Sequence, residues 1–109
     1  ALIYRLIFNL TENAVKYNRP GGSVRVCVTQ ETEKLLIRVS DTGCGIPEEY
    51  QQSIFQPFFR VDKSRSREYG GAGLGLSLVW EIADLHGGSV WVEESSEKGT
   101  TIAVKLPTQ

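Results

Sequence analysis

Apolar side chains recur at Ile3, Leu6, Ile7, Leu10 and Ala14, the three- and four-residue spacing of one helical face. This predicts a helix over residues 2–17. At about 100° per residue, Asn9, Asn13 and Lys16 fall within about 60° of one another beside that stripe. One helix thus carries a core face and a separate amide–ammonium face. Asn18-Arg-Pro-Gly-Gly22 ends it with turn chemistry. From Ser23 to Thr29 the period changes to two, with Val24, Val26 and Val28 alternating with Arg25 and Cys27, the pattern of a half-buried strand. Gln30–Lys34 is polar and turn-like, and Leu35–Ser40 predicts a second strand that closes a hairpin.

Asp41–Pro47 has the composition of a loop, followed by a short helical stretch around Glu48–Phe55. Gln56–Tyr69 is polar, basic and aperiodic, which predicts a mobile surface segment. Helical periodicity returns over Leu74–Leu85, with Gly87-Gly88 as its stop. Val90–Glu94 and Thr101–Leu106 predict strands joined by a turn at Ser95–Gly99. One sheet layer with helices on one face accommodates this order, an α+β sandwich.

A length of 109 residues supports one domain and one core. Neither the 40% hydrophobic content, the 23% charged content nor the net charge of −1 draws the chain to nucleic acid or an acidic membrane. No apolar run approaches the ~20 residues that span a bilayer. Cys27 and Cys44 fit neither metal-ligand spacing nor a disulfide framework, which makes a reducing, cytoplasmic setting the default. The chain enters its first helix without an initiator methionine, as an excised piece of a longer protein would.

Two glycine clusters hold the candidate chemistry: Asp41-Thr-Gly-Cys-Gly-Ile-Pro47 and Gly70-Gly-Ala-Gly-Leu-Gly-Leu-Ser77. Glycine at this density lets backbone approach a ligand closely or take positive φ. Asp41, at the end of an apolar strand, predicts a partly buried carboxylate that needs donors. The exocyclic amino group of adenine offers one, whereas guanine carries a carbonyl there; a simple cap on the Gly43 turn is the alternative. The second cluster leads into a helix, whose N-terminal N–H groups suit polyphosphate, or else forms a hinge. It lacks the Gly-Lys-Ser/Thr of a P-loop, and the third Rossmann glycine would fall at Leu76. The Asn13 amide oxygen is a hard ligand suited to Mg²⁺, and Lys16 can meet a phosphate. A solvated helix face with a Glu12–Lys16 pair explains the same residues without a ligand.

Together these motifs resemble the catalytic ATP-binding domain of sensor histidine kinases, in the superfamily that includes DNA gyrase, ATP-driven chaperones and mismatch-repair ATPases. Asn9–Tyr17 is similar to the N box, Asp41–Pro47 to the first glycine box and Phe55–Phe59 to the F box. Gly71–Gly75 resembles the second glycine box and Gly99-Thr100 the last. The match runs in order from residue 2 to Pro107. It implies a two-layer sandwich, the Bergerat fold, with a mixed, mostly antiparallel sheet backed by about three helices and an ATP lid.

The resemblance also implies roles. Asn13 would ligate Mg²⁺, with Asn9 beside it; Lys16 and Tyr17 would meet phosphate and nucleotide. Asp41 would accept from adenine, assisted by Thr100, with Gly43, Gly45 and Ile46 lining the nucleotide. Gly71, Gly73, Leu74, Gly75 and Leu76 would flank the phosphates, Arg60 would reach the γ-phosphate, and Phe55, Phe58 and Phe59 would anchor the lid. ATP-hydrolysing members carry a glutamate where this chain has Asn9, so the resemblance favours phosphoryl transfer over hydrolysis. Ala72 departs from the Thr or Ser the family often has, Cys44 occupies a variable slot, and His86 matches a structural position. The implied partners are an upstream dimerisation domain bearing the acceptor histidine, a second copy of the parent, and a response regulator. The parent would be membrane-anchored, with this domain in the cytoplasm. A gyrase-like hydrolase or switch, a nucleotide-sensing module that has lost transfer activity, and a serine kinase of the anti-sigma-factor type are the competing readings.

Overall fold

Helix α1 spans Leu2–Lys16 and buries Leu6, Leu10 and Ala14, the predicted stripe. The computed structural model describes residues 2–16, 18–56 and 76–108. Strands β1 (Val24–Glu31), β2 (Lys34–Asp41), β3 (Ser89–Ser96) and β4 (Gly99–Pro107) form a sheet in the order β1-β2-β4-β3. Every pairing among the described residues is antiparallel. The predicted sandwich is present: α1 and α2 (Ser77–Leu85) pack on one face of the sheet.

Register explains the core. Val28, Ile37, Val104 and Val90 lie opposite one another in a single row across all four strands. Ile37, Val104 and Val90 are buried with Leu6, Leu10, Val79 and Ile82. Removing a side chain of this size from water stabilises the fold by about 1.5–3 kcal/mol. On the opposite face, β3 carries a bulge between Val92 and Glu94. The Glu93 carboxylate at this bulge accepts from Arg38 Nε at 2.7 Å and Nη2 at 3.1 Å, which holds Glu93 below its ordinary carboxylate range.

Several predicted boundaries shift. Both hairpins turn in two residues, Thr32–Glu33 and Glu97–Lys98, so the strands run further than their apolar patterns. A polar residue can continue a strand wherever its side chain meets solvent, and Gln30, Glu31 and Lys34 all do. β1 is not half-buried. It is an edge strand on which Val26 and Val28 remain 41% and 55% exposed, because the helices cover the centre of the sheet. The helical stretch around Glu48–Phe55 resolves into 3-10 turns at Glu48–Tyr50 and Ser53–Phe55; the latter buries Ile54 and Phe55.

Candidate functional site

Asp41 is the last residue of β2, opposite Thr100 of β4, so both its strand and its partner fix its backbone. Its carboxylate Oδ1 accepts from the Gly43 N–H at 2.8 Å, and the Thr100 N–H donates to the same group. Desolvation pushes the Asp41 carboxyl above its ordinary range, and these two N–H groups only partly oppose it. The carboxylate thus caps the glycine turn while burial still raises its range. Cap and ligand are compatible roles here.

The loop after Asp41 is held on the β3–β4 turn. Gly45 adopts φ +83°, and a Cβ there would overlap the Ser96 carbonyl oxygen. Gly99, at φ +139°, packs against the Asp41 carbonyl in the same way. The glycine requirement at 45 and 99 therefore arises from packing of chain on chain, before any base enters. Ile46 donates its N–H to Ser95 Oγ at 2.7 Å, and Ser95 Oγ shares a hydrogen bond of 2.9 Å with Thr100 Oγ1. Thr100 is 5% exposed, the one buried polar side chain among the described residues.

The C-terminal end of α1 reaches the same loop. Asn18 Oδ1 accepts from Thr42 Oγ1 at 3.0 Å, while its Nδ2 donates to the Ser23 carbonyl at 2.8 Å. Arg19 Nη2 donates to the Gly43 and Glu97 carbonyls at 2.9 and 2.6 Å. Asn13 and Lys16 sit on the last turns of α1, just before this junction, Asn13 partly buried and Lys16 exposed. Asn9 lies one turn earlier and donates its amide N–H to the Arg5 carbonyl at 2.8 Å.

The structure thus brings Asp41, Gly43, Gly45, Ile46 and Thr100 together at one end of the sheet, with Asn13 and Lys16 on the last turns of the helix that leads into the Asn18–Thr42 contact. The side chain of Leu76 lies in the core at 1% exposure, and its carbonyl accepts from the Trp80 N–H at 3.1 Å where α2 begins. Tyr17, Phe58, Phe59, Arg60, Gly71, Ala72, Gly73, Leu74 and Gly75 lie outside the described residues. His86 caps α2, its Nδ1 2.7 Å from the Ile82 carbonyl, in keeping with a structural position. Neither Cys27 nor Cys44 is in a disulfide. Sequence reasoning missed Arg19 and Ser95: the loop groups they hold, the Gly43 carbonyl and the Ile46 N–H, are backbone groups 24 and 49 residues away, which leave no motif.

No group of three His, Cys, Asp or Glu side chains capable of holding a metal occurs among the described residues. A lone amide oxygen at Asn13 fits an ion carried mainly by phosphates and water rather than by a protein cage. No helix of the described residues is long and apolar enough to cross a membrane.

Over residues 1–109 the chain matches the family model described as histidine kinase-, DNA gyrase B-, and HSP90-like ATPase. It is 43% identical to the circadian input-output histidine kinase CikA of Synechococcus elongatus, over 96% of this chain and 14% of that protein. It is also 43% identical to the sensor histidine kinase WalK of Bacillus subtilis, over 96% of this chain and 18% of WalK. Among solved structures, the catalytic domain of histidine kinase ThkA superposes with a TM-score of 0.81 at 32% identity, over 97% of this chain and 67% of that one. ThkA in complex with the response regulator protein TrrA superposes at 0.76, with 28% identity, over 98% of this chain and 28% of that one.

Proposed function

Since the chain belongs to the histidine kinase-, DNA gyrase B-, and HSP90-like ATPase family, and is the ATP-binding catalytic domain of a sensor histidine kinase, we propose how its residues divide the work. The Asp41 loop reads the adenine of ATP, and the amide–ammonium face of α1 meets its phosphates. The γ-phosphoryl group then passes to a histidine on a dimerisation domain of the same parent protein. The observation that carries this reading is the Asp41 carboxylate. It is desolvated, held by Gly43 and Thr100, and still lifted above its ordinary range. An adenine amino group would add a further donor to this carboxylate.

In the transfer, the bond from the γ-phosphorus to the bridging oxygen breaks, leaving ADP, and a bond to an imidazole nitrogen forms as the ring loses its proton. Such chemistry asks for positioning and charge neutralisation more than covalent help. Mg²⁺, when bound, neutralises charge on the phosphate oxygens, and Asn13 is the residue that would hold it. Lys16 adds a cation on the same helical face. With an amide at position 9 and no carboxylate there, water is not activated, which supports transfer over hydrolysis. Arg60 and the second glycine cluster, Gly71, Gly73, Leu74 and Gly75, are assigned to the phosphates on the motif resemblance, and Tyr17 to the nucleotide. The parent is proposed to be a membrane-anchored homodimer that passes phosphate to a response regulator. ThkA's complex with TrrA supports such a partner.

Asp41→Asn tests the reading directly. It should weaken ATP binding by about 1.5–3 kcal/mol, the value of one hydrogen bond to a charged group. Unchanged affinity by calorimetry would remove Asp41 from the site. In the full-length kinase, Asn13→Ala should abolish Mg-dependent phosphorylation of the acceptor histidine, and normal labelling would contradict the metal role. Label on His86 would overturn transfer to a separate domain.

A further inference from the structure

We propose that Arg19 is a positioning residue for base selection, aiming the Asp41 carboxylate by clasping the loop that follows it to the β3–β4 turn. This rests on the reading of Asp41 as the adenine acceptor. One guanidinium nitrogen, Nη2, spends its two hydrogens on two carbonyls, Gly43 at 2.9 Å and Glu97 at 2.6 Å. These acceptors lie 24 and 78 residues further along the chain, so this side chain joins three segments. Gly43 is held from both ends: its carbonyl accepts from Arg19, and its N–H donates to Asp41 Oδ1 at 2.8 Å. Turning that residue turns the carboxylate with it.

The neighbouring residue reinforces the clasp. Asn18 Oδ1 accepts from the Arg19 N–H at 2.9 Å and from Thr42 Oγ1 at 3.0 Å. Residues 18 and 19 therefore grip the consecutive loop residues 42 and 43. Arg19 also follows Asn13 and Lys16 closely in the chain, so the helix assigned to the phosphates is tied to the loop assigned to the base. Hydrogen bonds weaken steeply with misalignment, so the advantage of an adenine amino group over a guanine carbonyl depends on where Asp41 points. A surface brace without this role would affect stability and leave base preference alone.

Calorimetric titration of the 109-residue chain with ADP, GDP and inorganic tripolyphosphate separates these cases. Arg19→Met keeps the aliphatic stem and removes the donors. It should lower the ADP-to-GDP affinity ratio about tenfold, the value of one charge-assisted hydrogen bond, with tripolyphosphate affinity unchanged. Arg19→Lys, with a shorter cationic donor, should retain a ratio between the parent and Arg19→Met. An unchanged ratio in Arg19→Met overturns the proposal, as does an equal loss for all three ligands with a lowered melting temperature. If Arg19→Met does not fold, Arg19→Lys decides: a reduced ratio supports the clasp and an unchanged one overturns it. Asp41→Asn distinguishes the two levels. If it leaves the ratio intact, the base-site reading itself fails; if it collapses the ratio while the Arg19 variants do not, only the clasp fails.

Discussion

The two hairpins are built alike and placed differently. Each turns in two residues, at Thr32–Glu33 in one and Glu97–Lys98 in the other. The first turn lies at the Pro107 end of the sheet, where the Glu33 carbonyl accepts from Thr108 at 2.9 Å. The second lies at the Asp41 end, where Gly99, Ser96 and Ser95 touch Asp41 or the loop that follows it and Glu97 is joined to that loop through Arg19. Their strands differ as much. Val28 of β1 and Val104 of β4 flank the same Ile37, yet one is 55% exposed and the other 0%. Equal local geometry thus becomes a solvent edge in one hairpin and a core plus site in the other, according to what packs over it.

Variants at matched positions break or sharpen this contrast. The largest effect is expected for Gly99→Ala, whose Cβ would overlap the Asp41 carbonyl at φ +139°. A loss of about 2–4 kcal/mol should appear in urea unfolding. A loss below 0.5 kcal/mol would mean that the near turn is as tolerant as the far one. Next, Val104→Ala should cost about 1.5–3 kcal/mol, against under about 0.5 kcal/mol for Val28→Ala. Equal costs would show that the edge strand is packed in solution.

At the opposite turn the sign reverses. Glu33 holds φ +66°, strained for a side chain, so Glu33→Gly should stabilise by up to about 1 kcal/mol. A lowered melting temperature there would refute the contrast. The finest test is pH. Asp41 is raised in the fold, so ligand-free stability from this group is present below the ordinary carboxylate range and is lost as pH rises through the raised value. Asp41→Asn should therefore raise the melting temperature near pH 7, and the gain should shrink as pH falls toward 4. A gain independent of pH would assign it to something other than the charge. The same variant should lose adenine affinity, so stability and binding are expected to move in opposite directions at this residue.

Much of this was legible in order. Three-and-four spacing gave α1 within a residue, and the sandwich followed from the succession of elements. Asp41 and the first glycine cluster were legible because a carboxylate at the end of an apolar strand followed by dense glycine is unusual in a short stretch, whereas Thr100 came only from the family resemblance. The half-buried reading of β1 failed for a physical reason: alternation shows which face is apolar and says nothing about whether a helix covers it. The strand ends were misjudged because polar residues at an edge are compatible with both strand and turn.

Periodicity and the order of elements by themselves determined the helix faces and the class of fold, since these depend on neighbours a few positions away; the roles given to the site residues came from the family resemblance. Only the tertiary structure decided which valines are buried, why Gly45 and Gly99 are glycine, and that Arg19 and Ser95 hold the loop. Those outcomes depend on register between strands and on carbonyls and hydroxyls met across 24 to 78 residues, and no local pattern encodes a partner that distant.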